Sequence, residues 1–173
     1  MRSLAPDLLE QARSLAAIDP KRPKAANLRR AISAAYYSLF HFFLDDFERQ
    51  FVPALRRCVT HNDMTRASRM VEDLYKEQQQ PTGAKTKTSL ILKDITVSTD
   101  LLEVASSFIA LQKARHEADY GVHTGHSRSD ALANIVRCAK AHAAWAACRV
   151  RPEARAYTSL FFIEPTDKKL VER

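Results

Sequence analysis

Residues 27–44 read NLRRAISAAYYSLFHFFL. Leu28, Ile32, Ala35, Leu39 and Phe42/Phe43 form one stripe at helical spacing, and Ala34, Tyr37, Phe40 and Leu44 add a second. A helix that is apolar on two sides belongs in the middle of a bundle. Yet this one carries Arg29, Arg30, Tyr36, Tyr37 and His41, and polar groups on a buried helix are costly unless they find partners. A second polar cluster, LQKARHEADYG at 111–121, closes another helix with Arg115, His116, Asp119 and Tyr120. The two clusters are expected to meet.

Outward from residue 27, Asp19, Pro20 and Pro23 separate the central helix (about 23–51, stopping before Pro53) from an amphipathic helix at 4–18, with Leu4, Leu8, Leu15 and Ile18 near one face. Residues 54–61 form a short helix in this reading. Asn62 is the expected N-cap of a helix at 63–79, whose stripe is Met64, Ala67, Met70/Val71 and Leu74. Residues 81–97 read as a loop with partial structure, and LILKDITV at 90–97 is β-like. Ser98 or Thr99 starts a helix at 99–119, with Leu101/Leu102, Ala105, Phe108/Ile109 and Gln112 inward. After the loop GVHTGHS, Ser127 or Ser129 caps a helix at 129–149 that turns Ala131/Leu132, Ile135, Ala139, His142/Ala143 and Ala146 inward. The sum is an all-α antiparallel four-helix bundle over residues 1–150, with a shorter helical segment inserted at about 54–97. An irregular tail covers 151–173. Its apolar YTSLFFIE segment either docks on the bundle or is lent to a partner.

A chain of 173 residues, 46% hydrophobic and 27% charged, fits one globular domain, and only three glycines favour long helices over turn-rich β architecture. The net charge of +7 and pI of about 9.5 are compatible with a polyanion such as RNA, or with a solvated basic surface. No aromatic residues interleave the basic runs Lys21–Arg30, Arg56/Arg57/Arg66/Arg69, Lys85/Lys87/Lys93 and Arg149/Arg151/Arg155, so the signature of a single-strand binder is missing. Cys58, Cys138 and Cys148 form no CxxC and read as reduced thiols. No secretory leader or membrane-length apolar run is evident, and a cytoplasmic location is expected. There is no glycine-rich phosphate loop, and no cofactor is expected. His116, His123 and His126 lack the ligand set and spacing of a zinc site, so no metal is expected either.

The run Arg29-Arg30-Ala31-Ile32-Ser33-Ala34-Ala35-Tyr36-Tyr37-Ser38-Leu39-Phe40-His41 resembles the second helix of HEPN domains (higher eukaryotes and prokaryotes nucleotide-binding). Arg115-His116-Glu117-Ala118-Asp119-Tyr120 resembles the Arg-x-x-Ala-Asp-Tyr element at the end of their third core helix. The resemblance spans roughly residues 5–148 and is to the small stand-alone prokaryotic members. It implies a four-helix bundle that pairs into a homodimer. It also implies a toxin–antitoxin or defence setting, often with a nucleotidyltransferase partner. Many members are metal-independent ribonucleases with an Arg-x4-6-His motif, in which Arg stabilises phosphate charge and His serves as acid/base. Here the residue that follows Arg115 after four others is Tyr120, and a phenol with its ordinary pKa near 10 is a poor base at neutral pH. Arg56-x4-His61 has the right spacing in the wrong place and reads as chance.

Two readings of the polar residues follow. In one, Arg30, Tyr37 and His41, which share a helix face, join Arg115, Asp119 and Tyr120 in a pocket for a phosphate or nucleotide. In the other, Asp119 neutralises Arg30 or Arg115 and the tyrosine hydroxyls complete a structural network. The functional expectation is an RNA- or nucleotide-binding protein. One alternative is a metal-independent ribonuclease using Arg115 with His116 or His123. The other is a non-catalytic interaction partner of a nucleotidyltransferase.

Overall fold

The computed structural model describes residues 3–51, 57–80, 89, 92–121 and 125–162. All regular structure among them is helical, with no strand. The helices are α1 (Leu4–Ala17), α2 (Ala25–Gln50), α3 (His61–Gln79), α4 (Thr99–Tyr120), α5 (Arg128–Cys148) and α6 (Pro152–Ser159), the last continued by a 3-10 turn, Leu160–Phe162.

Helix α2 is central, as its two apolar stripes require. It packs on α1, α4 and α5, and buries residues on every side from Leu28 to Phe47. Helices α4 and α5 also pack on each other, and α1 touches α5. Helix α3, from the inserted segment, lies against α4 and is as long as its neighbours rather than shorter. Phe43, Phe108, Trp145 and Tyr157 meet at the centre, each fully buried, with ring centroids 5.2–6.0 Å apart. Such offset aromatic contacts add specific packing to the burial of large apolar area.

Several boundaries and faces differ from the sequence reading. Helix α3 starts at His61 because Thr60, not Asn62, is the N-cap: its hydroxyl accepts from Asp63 N, and the Asp63 carboxylate accepts from Thr60 N at 2.9 Å. This reciprocal box satisfies two otherwise free donors, which a lone Asx cannot do. Ser127 and Asp130 make the same box before α5, and Ser98 caps α4. Helix α1 buries Ala5, Leu9, Ala12 and Ala16, leaving Leu4 and Ile18 exposed. Small side chains let α1 approach α2 closely enough for Ser38 Oγ to donate to Ala5 O at 2.7 Å. Helix α5 is likewise rotated: Ala131, Ile135, Cys138, Ala141, Trp145 and Cys148 face inward, while Leu132, Ala143 and Ala146 are exposed. The large indole sets this rotation, since Trp145 Nε1 donates to the buried Asp46 of α2.

Of the expected 54–61 helix, Arg57 and Cys58 form a 3-10 turn and Val59–Thr60 are non-helical; residues 52–56 lie outside the described residues. Of the β-like 90–97 stretch, residues 90 and 91 lie outside the described residues; Leu92–Asp94 turn, and no strand forms among the described remainder. The Gln78 side chain takes the place of a neighbouring strand, donating to Ile95 O at 2.7 Å and accepting from Val97 N at 3.0 Å. The first part of the tail is not irregular. Helix α6 and the 3-10 turn dock on α3, burying Ala154, Tyr157, Leu160 and Phe161. The described part of this segment is therefore committed to its own bundle. Residues 163–173 lie outside the described ones.

Candidate functional site

The two polar clusters do meet. Near the C-terminal end of α4, the Arg115 guanidinium reaches α2, where its Nη2 donates to Tyr37 Oη at 2.8 Å. Its Nε stands 2.8 Å from Asp119 Oδ2, an ion pair by distance that is not aligned as a hydrogen bond. Asp119 in turn accepts from Ser33 Oγ at 2.6 Å. Arg29 closes the end of α4, donating to Ala118 O and Gly121 O at 2.9 and 2.6 Å, where the last carbonyls of a helix lack intrahelical donors. Three tyrosine rings surround the Arg115 cation, with centroids 5.4 Å (Tyr37), 5.6 Å (Tyr120) and 6.0 Å (Tyr36) from Cζ. Burial works against its charge, but Tyr37 and Asp119 outweigh that effect and hold its pKa above the ordinary value.

This ridge separates two open recesses. One, of about 450 Å³ between α2 and α4, is lined by Arg29, Arg30, Ser33, Tyr37, Asp119 and Tyr120. The other, of about 660 Å³ between α3 and α4, is lined by Thr60, His61, Arg69, Gln112, Arg115 and His116 among others. A shallower groove of about 350 Å³ shares Asn62, Arg69 and Gln112 with it and continues along α3.

The anticipated residues are thus distributed rather than gathered in one pocket. Arg30, Tyr37, Asp119 and Tyr120 line the α2–α4 recess, with Arg30 exposed at its rim. Arg115 and His116 line the α3–α4 recess despite pointing in different directions from the helix. His41 lines neither and packs edge-on to Phe40 at 5.6 Å. His123 lies outside the described residues. Part of the network reading holds as well, because Asp119 pairs with Arg115 rather than with Arg30.

The residue that the sequence reading missed is His61. Its ring lies against Phe40, with centroids 4.0 Å apart and the planes tilted by 34°, and its Nδ1 is 2.6 Å from Tyr36 Oη. Burial pushes the Tyr36 hydroxyl well above its usual pKa, so it stays protonated. The hydroxyl donates to Nδ1 when the ring proton is on Nε2 and accepts from Nδ1 in the other tautomer. Burial, with Arg115 and His41 nearby, pulls the His61 pKa below its ordinary value. An imidazole at the start of α3 therefore shares a recess with the held guanidinium of Arg115. The Arg56-x4-His61 spacing, read as chance, has its histidine at this position, and Arg56 lies outside the described residues.

Among the described residues no helix is long and apolar enough to cross a membrane, and no three metal-ligating side chains converge. Comparison of the chain with protein-family models, curated proteins and solved structures finds no match.

Proposed function

We propose that the protein binds RNA or a nucleotide through the Arg115 ridge, as a cytoplasmic HEPN-like bundle of a toxin–antitoxin or defence system. The observation that carries this reading is the state of Arg115. Its guanidinium is held by Tyr37 and Asp119 and walled by tyrosines, yet it faces an open recess, and Nη1 has no partner among the described residues. Arginine presents a planar fork of donors suited to phosphate oxygens, and a cation already positioned loses little freedom on binding. The two motifs that resemble HEPN elements are the ones that build this ridge. Homodimerisation and a nucleotidyltransferase partner follow from that resemblance, and light scattering of the purified chain tests the dimer.

A second reading, metal-independent ribonuclease, is favoured by the histidines beside Arg115. His116 and His61 both line its recess. Cleaving a phosphodiester without metal needs a cation for the developing phosphate charge and a group that moves a proton. Purified protein in EDTA, incubated with total RNA and tRNA beside Arg115→Ala, His116→Ala and His123→Ala variants, separates the two. Retained RNA without cleavage marks a binding module. Cleavage lost with Arg115 and one histidine marks an enzyme. Failure of the wild type to bind RNA or nucleotide at low salt removes both.

A further inference from the structure

We infer that the α3–α4 recess is a phosphate-binding site in which Arg69 and His61 of α3 act with Arg115 and Lys113 of α4. This rests on the reading of Arg115 as a phosphate ligand and extends it to a helix that carries neither of the two motifs behind the resemblance. Arg69 is exposed and makes no hydrogen bond or ion pair among the described residues, whereas its neighbour Arg66 is occupied by Asp63 at 2.9 Å and by Phe161 O at 3.2 Å. Lys113 contacts Glu117 only at 4.0 Å, and both are largely solvated. Against these three cations stand Glu117 in the recess wall and Asp119 paired with Arg115, which leaves an excess of one positive charge, matching the single charge of a phosphodiester or a phosphate monoanion. His61 adds an imidazole whose Nδ1 is held by Tyr36 Oη and whose other ring nitrogen donates to a phosphate in the tautomer protonated at Nε2. A phosphate takes several such donors at once, with two guanidiniums converging from different helices. The groove shared through Asn62, Arg69 and Gln112 leaves room for the rest of a chain beyond one phosphate.

The phosphate could belong to RNA or to a free nucleotide, and one set of titrations tells these apart. Inorganic phosphate, a 5′-nucleotide and a short single-stranded RNA are each added to the full chain, with the histidine ring resonances followed by NMR. Millimolar inorganic phosphate is expected to move the His61 and His116 resonances. Arg69→Ala is expected to weaken this about tenfold, the loss of one charge-assisted contact, while Arg137→Ala, at an exposed position of α5 that lines neither recess, leaves it unchanged. For RNA, Arg69→Ala should lower the slope of log affinity against log salt by about one. Unmoved resonances, or equal phosphate affinity in Arg69→Ala and wild type, overturn the inference. RNA binding that depends on Arg115 but not on Arg69 would overturn it while sparing the broader reading. Phosphate and nucleotide binding lost with Arg69, without RNA binding, would support it and restrict the ligand to nucleotides.

Discussion

Individual side chains in this bundle are defined by what they must satisfy. Tyr36 is fully buried, and its hydroxyl has His61 as its partner. Tyr36→Phe should cost about 1 kcal/mol, or a fall of roughly 2–4 °C in Tm, and should free Nδ1 of His61. Nitrogen-15 NMR of the ring would then show a mixture of tautomers in place of one. His142 behaves differently. Its ring stacks on Phe42 at 4.2 Å, Nε2 lies near Ser38 and Cys138, and burial pulls its pKa down to about 4. The unfolded chain binds this proton near pH 6.5 and the folded chain only near 4. Stability is therefore complete above about pH 6.5 and falls through this window, by roughly 2–3 kcal/mol in all. Denaturant melts at several pH values should show a difference between wild type and His142→Gln that changes between pH 6.5 and 4; a constant difference would contradict the burial argument.

At the scale of elements, helix starts matter more than helix propensities. The Thr60–Asp63 box places His61 in the first turn of α3, facing α2 and α4. Thr60→Ala should cost about 1 kcal/mol, read as a lower urea midpoint with an unchanged slope. Ser127→Ala before α5 should cost a similar amount. These caps are legible in the sequence as Thr or Ser followed three positions later by Asp; the reading had Ser127 as one of two candidates, beside Ser129, and passed over Thr60. The inward faces of α1 and α5 were harder to read. Both are alanine-rich, and alanine at helical spacing does not say which side a neighbour approaches. In α5 the choice falls to Trp145 and its bond to Asp46, which pairs α5 with α2. By contrast, the α3 stripe of Met64, Ala67, Val71 and Leu74 was plain, because large apolar residues on an otherwise charged helix leave one face to bury.

At the scale of the whole molecule, the described tail completes the core instead of leaving it. Tyr157 and Phe161 reach the aromatic centre, Ser68 bonds Tyr157 Oη at 2.9 Å, and Glu153 accepts from Ser98 at the start of α4. Removal of the chain after residue 151 should therefore destabilise the bundle rather than merely shorten it, with loss of the cooperative thermal transition as the readout. The packing of α5 hides two of the three thiols, Cys138 against α2 and Cys148 beside Glu153 of the tail. Burial pushes Cys138 up to about 11 and Cys148 up to about 12, whereas Cys58 is exposed. A thiol reagent at neutral pH should label one cysteine in the native protein and three in denaturant. Two rapid native labels would mean that α5 opens readily.

The sequence by itself determined that this protein is helical, that residues 27–44 lie at the centre, and that the polar cluster ending at Tyr120 meets the polar side chains of that central helix. Each of these follows from local rules: the spacing of apolar residues, the caps, and the need of buried polar groups for partners. Only the tertiary structure decided that Arg115 pairs with Asp119, that Arg30 stays at the rim, and that His61 and Arg69 arrive from α3 to share a recess with Arg115. Those juxtapositions depend on how far each helix rotates and where it starts as it packs. That is a balance of long-range contacts, and no periodicity along the chain records it.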